Sequence, residues 1–150
     1  MDRPALFGCT LAALQEYLAA AGEPAFRAKQ LTEWLYAKHC DSVAAMTNLP
    51  KTLRARLEAD FVFGTGPAVF EDASADGTKK YLFRTAAGLA VESAWLPEET
   101  RGTLCLSTQS GCRMGCRFCG TARMGWRGNL SAGEIVNQYR SLPERESARA

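Results

Sequence analysis

The chain reads as an α+β region followed by the opening of an α/β unit, and three observations lead there. Residues 10–60 carry helical periodicity between cap and breaker residues. Residues 64–102 switch to short β-prone runs punctuated by Asp76-Gly77 and Ala87-Gly88. From residue 103 the order is apolar strand, cysteine-rich loop, capped helix. These changes of pattern divide the chain into a helical module (1–63), an antiparallel β segment with linker (64–102) and a first βα unit (103–150).

The helical module begins where Thr10 is placed to cap "LAALQEYLAAAG". There Leu11, Leu14, Leu18 and Ala21 share one face and Gly22 ends the run. A second helix is expected in "EPAFRAKQLTEWLYAKHC", with Pro24 in its first turn and an apolar stripe of Phe26, Leu31, Trp34 and Leu35. Asn48 is expected to cap a third, "LPKTLRARLEADF", whose Leu49, Leu53 and Leu57 recur every four residues. His39 follows the second helix and is expected to cap its end.

The runs between residues 64 and 96 predict a small antiparallel meander, and Pro97–Arg101 a polar linker. "TLCLSTQ", residues 103–109, predicts a short apolar strand. Ser131 and Glu134 in "NLSAGEIVNQYRSL" match the Ser-x-x-Glu capping box, so a helix is expected to start there. Strand, loop and helix in that order are the start of a β/α repeat. A closed barrel of such repeats takes roughly 200 residues or more, far more than lie beyond residue 103. The sequence is therefore expected to be the front part of a longer protein.

Bulk composition narrows the function classes. Hydrophobic residues make up 47% and charged residues 23% of the 150 residues, an ordinary globular balance. The net charge of +2 is too small to imply a nucleic-acid partner alone. The N-terminus has no signal-peptide pattern, and no apolar run approaches the roughly 20 residues of a membrane helix. The expectation is a soluble, cytoplasmic, monomeric protein with no membrane partner. In a reducing compartment, six cysteines point to metal binding or catalysis.

Three of them crowd into "QSGCRMGCRFCGTARMG": Cys112, Cys116 and Cys119. Three thiolates on one loop suit three irons of a cubane cluster, leaving the fourth iron open to a ligand. Gly111, Gly115 and Gly120 let the backbone wrap closely around such a group. Competing readings are a zinc site completed by Cys105 or His39, and unliganded thiols. Cys9 and Cys40 are assigned structural roles. Arg113, Arg117, Arg123 and Arg127 around the loop, and Lys51, Arg54 and Arg56 on the third helix, are candidate RNA-phosphate contacts or a solvated rim.

The spacing Cys-x-x-x-Cys-x-x-Cys, with Phe118 before the last cysteine, resembles the radical S-adenosylmethionine signature. The wider run of "FRAKQLTEWLY", "MTNLPK", "DGTKKYLF" and "VESAWLPEETRGTLCLSTQSGCRMGCRFCGTARMGWRGNLSAGEIVNQ" resembles the RlmN family, dual-specificity 23S rRNA and tRNA adenine C2 methyltransferases. The related C8 methyltransferases share the three cysteines and remain an alternative, as does a non-catalytic metal- and RNA-binding fragment.

The resemblance implies a truncated radical S-adenosylmethionine β/α barrel from residue 103, a [4Fe–4S] cluster on Cys112, Cys116 and Cys119, and S-adenosylmethionine with Phe118 near its adenine. It implies 23S rRNA and tRNA as partners and an external electron donor such as flavodoxin. It gives Cys105 the role of the cysteine that forms a transient disulfide with a methyl-carrying cysteine, and Glu92 that of proton acceptor. The carrier cysteine and the remaining cofactor contacts are expected beyond Ala150, so residues 1–150 alone are expected to be inactive.

Overall fold

A computed structural model describes residues 3–64, 66–85 and 87–145. The chain forms two compact units that divide after Gly64.

The first unit is helical: α1 (Leu11–Ala20), α2 (Phe26–Thr32) and α3 (Lys51–Asp60). As the periodicity predicts, Leu14, Leu18, Leu31, Leu35, Leu53 and Leu57 are buried, joined by Leu6, Phe7, Val43, Met46 and Leu49. Each large side chain so buried contributes roughly 1.5–3 kcal/mol. Thr10 caps α1 by accepting the Ala13 N–H at 3.2 Å, and Gly22 leaves the helix at φ 74°. Leu11 and Phe26 are half exposed, outside their expected stripes.

Two helix ends differ from expectation. After Thr32 the helix widens into a π-turn over Glu33–Ala37, and His39 closes it in the left-handed region at φ 50°. Cys40 N–H then reaches back to the Trp34 carbonyl at 3.1 Å, the wrap expected of a left-handed terminus. Asn48 does not cap α3, whose N-cap is Pro50 with no side-chain bond. The Asn48 side-chain oxygen instead accepts the Trp34 indole N–H.

The second unit is a four-stranded antiparallel sheet in the order β1 (Phe70–Ala73), β2 (Lys79–Arg84), β3 (Ala90–Pro97), β4 (Gly102–Cys105). The turns fall at Asp76-Gly77 and Ala87-Gly88 as predicted, with Gly77 and Gly88 at positive φ. The stretch expected as a linker is a hairpin turn: Glu98 N–H bonds the Arg101 carbonyl at 2.7 Å, and Arg101 Nε bonds the Glu98 carboxylate at 2.7 Å. Gly102 is required there, because a Cβ would sit 1.5 Å from the Trp95 ring.

The strand expected over 103–109 ends at Cys105 and pairs antiparallel with β3, Cys105 opposite Ala94. Among the described residues it closes the antiparallel meander. Its physical reason lies in residues 107 and 110, where serine hydroxyls take the β3 carbonyls in place of backbone N–H groups. Ser107 Oγ donates to the Glu92 carbonyl at 2.6 Å, and Ser110 Oγ to the Ala90 carbonyl at 3.0 Å.

Beyond this come β5 (Gln109–Ser110), the short helix α4 (Gly120–Arg123), β6 (Gly128–Asn129) and α5 (Ala132–Arg140). The capping box is present: Ser131 Oγ accepts the Glu134 N–H, and the Glu134 carboxylate accepts the Ser131 N–H at 2.8 Å. Tyr81, Phe83, Val91, Trp95, Leu130 and Leu142 form the core, with Leu104 and Ile135 packed against it. A 3-10 turn at Pro143–Arg145 is tied to the sheet through Glu144, which bonds the Tyr81 hydroxyl at 2.7 Å and Lys79 Nζ at 2.8 Å. Among the described residues no helix is long and apolar enough to cross a membrane.

Candidate functional site

Alternation along the sheet decides what can meet. On β3, Val91, Ser93 and Trp95 turn into the core, which sends Glu92 and Ala94 to the other face. Because Cys105 stands opposite Ala94, it shares that outer face with Glu92, one diagonal step away. Both side chains are exposed.

Glu92 lines a cleft of about 170 Å³ with Leu82, Ser107, Gln109, Gly111, Thr121 and Met124 among its walls. The cleft therefore joins the sheet to both ends of the cysteine loop: Gly111 precedes Cys112, and Thr121 follows Cys119 by two residues. Cys105 stands outside its lining.

The loop is rooted at its base. β5 pairs with β6, Gln109 opposite Asn129 and Ser110 opposite Gly128. Arg127 N–H adds a bond to the Ser110 carbonyl at 2.9 Å. Gly111 (φ 71°) passes so close to Gly125 that a Cβ would lie 1.6 Å from its carbonyl oxygen.

Within the loop, all six cysteines of the chain being free, Cys112, Cys116 and Cys119 are partly exposed. Met114 N–H points at Cys112 Sγ at 3.5 Å. Backbone N–H groups of Ala122 and Thr121, at the start of α4, hold the Cys119 thiol below its ordinary range.

Three partly exposed thiols on a glycine-hinged loop, with an N–H aimed at Cys112 and the Cys119 thiolate favoured by backbone N–H groups, are a donor set suited to an iron–sulfur cluster. In this arrangement no group of three or more His, Cys, Asp or Glu among the described residues is drawn together to hold a metal ion. The donor chemistry fits; the loop middle must draw in to bind.

Phe118 is 92% exposed and Met114 79%, so neither belongs to the core. Arg113 is stacked on the Trp126 ring at 3.7 Å. Arg117, Arg123 and Arg127 are exposed. On α3 the cations are more committed: Arg54 donates to the Ala44 carbonyl at 2.7 Å, and Arg56 pairs with Asp60 at 3.6 Å.

One residue escaped the sequence reading. Gln138 on α5 is 1% exposed, and its amide bonds both the N–H and the carbonyl of Ser107, at 2.9 and 2.8 Å. Its signal was a polar side chain three residues after Ile135, on the stripe an amphipathic helix buries.

Residues 5–62 match the family model of the ribosomal RNA large subunit methyltransferase N-terminal domain. Over 148 residues the chain is 46% identical to a probable dual-specificity RNA methyltransferase RlmN of Phocaeicola vulgatus, covering 97% of this chain and 42% of that protein. Over nearly its whole length the chain is similar to the RlmN family. The homologue from Parabacteroides distasonis is 42% identical over 147 residues, covering 98% of this chain and 43% of its own length. A crystal structure of a radical SAM methyltransferase from Sphaerobacter thermophilus superposes with a TM-score of 0.84 at 43% identity, over 95% of this chain and 42% of that one. The chain thus spans less than half the length of these RlmN relatives, which are named as RNA methyltransferases.

Proposed function

We propose that this chain supplies the N-terminal unit and the cluster loop of a radical S-adenosylmethionine enzyme that methylates C2 of adenosine in 23S rRNA and tRNA. The observation that carries this reading is the shared outer face of the sheet: Glu92, Cys105 and the cleft below the cysteine loop adjoin one another on a rooted scaffold.

Cys112, Cys116 and Cys119 would hold a [4Fe–4S] cluster, which when bound supplies the electron that cleaves S-adenosylmethionine. Phe118 is exposed beside them and offers a ring face to the adenine of that cofactor. Glu92 accepts the proton lost from C2; its exposure on a strand edge of the cleft leaves the carboxylate open to substrate. Cys105 supplies the thiol sulfur that forms a disulfide with a methyl-carrying cysteine beyond residue 150. That step releases product by breaking the carbon–sulfur bond of the crosslink. An external reductant such as flavodoxin supplies electrons, and the exposed arginines of the loop contact RNA phosphate.

The test uses the full-length protein, reconstituted anaerobically with iron and sulfide. Changing Cys112, Cys116 or Cys119 to Ala is expected to remove the broad visible absorbance of the cluster. Cys105→Ala is expected to keep the cluster and accumulate a covalent enzyme–RNA species, while Glu92→Gln slows formation of 2-methyladenosine with the cluster intact. Methylated nucleoside at wild-type rates from the Cys105 and Glu92 variants would refute the assigned roles. Methylation at C8 would refute the regiochemistry.

A further inference from the structure

We infer that Gln138 is a positioning residue that holds the backbone between Cys105 and the cysteine loop. In this way it sets the floor of the Glu92 cleft without touching it. The consequence for catalysis rests on the function proposed above; the positioning itself does not.

The β3–β4 ladder stops at Cys105, yet the chain continues alongside β3, with Ser107 facing Glu92. Something must replace the missing ladder bonds, because unpaired backbone groups in a part-buried position are costly. Gln138 does so. Its Oε1 accepts the Ser107 N–H at 2.9 Å and the Ser93 hydroxyl at 2.6 Å. Its Nε2 donates to the Ser107 carbonyl at 2.8 Å and the Glu134 carbonyl at 3.3 Å.

A primary amide has two donor hydrogens and two acceptor lone pairs, and here all four are used. Bonding both the N–H and the C=O of one residue is what a neighbouring strand does; the Gln138 amide acts as a one-residue strand. A methionine of equal reach offers neither bond, and asparagine is one methylene short.

Ser107 is the joint of this arrangement. Its backbone is held by Gln138, its hydroxyl bonds the Glu92 carbonyl at 2.6 Å, and it lines the cleft. Two residues before it lies Cys105; four residues beyond it lies Gly111, where the loop closes on Gly125. Releasing Ser107 loosens the segment between the resolving thiol and the cluster ligands while the core of the sheet stays packed.

The experiment compares Gln138→Met, which keeps length and volume, with the wild-type full-length protein by amide hydrogen exchange. Exchange at Ser107 is expected to quicken at least tenfold while amides of Leu82 and Phe83 stay within twofold. Alkylation of Cys105 by iodoacetamide is expected to quicken, with Cys9 as the unchanged reference within the same chain. In the methylation assay kcat is expected to fall while cluster absorbance and the KM for S-adenosylmethionine hold.

Unchanged Ser107 exchange would overturn the inference. Loss of protection throughout β1–β4 would also overturn it, by showing a general folding role. If Gln138→Met does not fold, Gln138→Asn provides the same readouts, and failure of both to fold counts against a local role. Should exchange and alkylation respond while the wild-type protein forms no 2-methyladenosine, the positioning stands and the proposed function falls.

Discussion

Adding one methyl group at Gly111 is expected to disable the cysteine loop, and the structure grades how much each loop glycine matters. Gly111 has φ 71°, and its Cβ would lie 1.6 Å from the Gly125 oxygen, 2.8 Å from the Gly125 carbon and 3.2 Å from Trp126 Cα. These are backbone atoms, so no side chain can swing away. An L-residue in the left-handed region costs about 1–2 kcal/mol. Relieving the overlap means moving the 125–127 segment by roughly 2 Å to reach ordinary contact distance. That breaks the Arg127 N–H bond to Ser110 and strains the β5–β6 pair, at about 1 kcal/mol per lost bond. The total for Gly111→Ala is roughly 2–3 kcal/mol, borne by the loop base. Gly115 has φ 65° but nothing within 4 Å, so Gly115→Ala carries the conformational strain alone, about 1–2 kcal/mol. Gly120 has neither constraint and starts α4; alanine there is neutral or slightly favourable. Iron–sulfide reconstitution and amide exchange over residues 109–129 are expected to rank the variants in that order, with Gly120→Ala matching wild type. Equal cluster yield from Gly111→Ala and wild type, or equal damage from Gly111→Ala and Gly115→Ala, would refute the reasoning.

Two further outcomes follow from contacts in the second unit. Ser131→Ala removes the reciprocal cap of α5 and is expected to cost about 1 kcal/mol, lowering a thermal midpoint for this unit by about 4–8 °C in circular dichroism. Glu144 has its carboxyl pKa pushed up by burial but pulled further down by the bonds from Lys79 and Tyr81, for a net lowering. A lowered folded value means stability present above the ordinary carboxylate range and lost as pH falls through that folded value. Urea midpoints measured from pH 7 to pH 3 should therefore fall more steeply for wild type than for Glu144→Gln; parallel curves would count against the pairing.

What the sequence made legible was whatever a local pattern governs. The leucine spacing in α1 and α3, the Asp76-Gly77 and Ala87-Gly88 turns and the Ser131–Glu134 box all rest on bonds or burial within a few residues, and all are present. What it obscured depended on partners distant along the chain. Asn48 looks like a helix cap, but the Trp34 indole lies 14 residues away and takes its oxygen. Residues 103–109 look like one strand, but hydroxyls at Ser107 and Ser110 compete with the ladder for the β3 carbonyls. The polar run Glu98–Arg101 is a local exception: it looks like a linker because its charges suit solvent, yet they pair with each other across a tight turn. Of the candidate site residues, strand alternation put Glu92 and Cys105 on one face once the β3–β4 register was known. That register is set by the Glu98–Arg101 turn, which the sequence makes look like a linker.

The way the cysteine loop is held bears on how it can work. Its base is fixed four times over: by the β5–β6 pair, by Arg127 to Ser110, by the Gly111–Gly125 approach and, one step back, by Gln138 on Ser107. Its middle is otherwise, with Met114 and Phe118 outside the core and, among the described residues, no three metal-ligating side chains gathered together. A metal-binding loop fixed throughout would demand ligand geometry from folding alone, at the expense of buried polar backbone around the thiols. One free throughout would lose much of the binding energy to ordering, at roughly 1–2 kcal/mol per residue fixed. A rooted base with an adaptable middle confines that ordering to the few residues between Gly111 and Cys119. It also keeps the loop's approach to Glu92 constant, because the walls of the cleft come from the sheet and from the two ends of the loop. Cluster binding is then expected to order the middle of the loop while leaving the cleft where the sheet puts it.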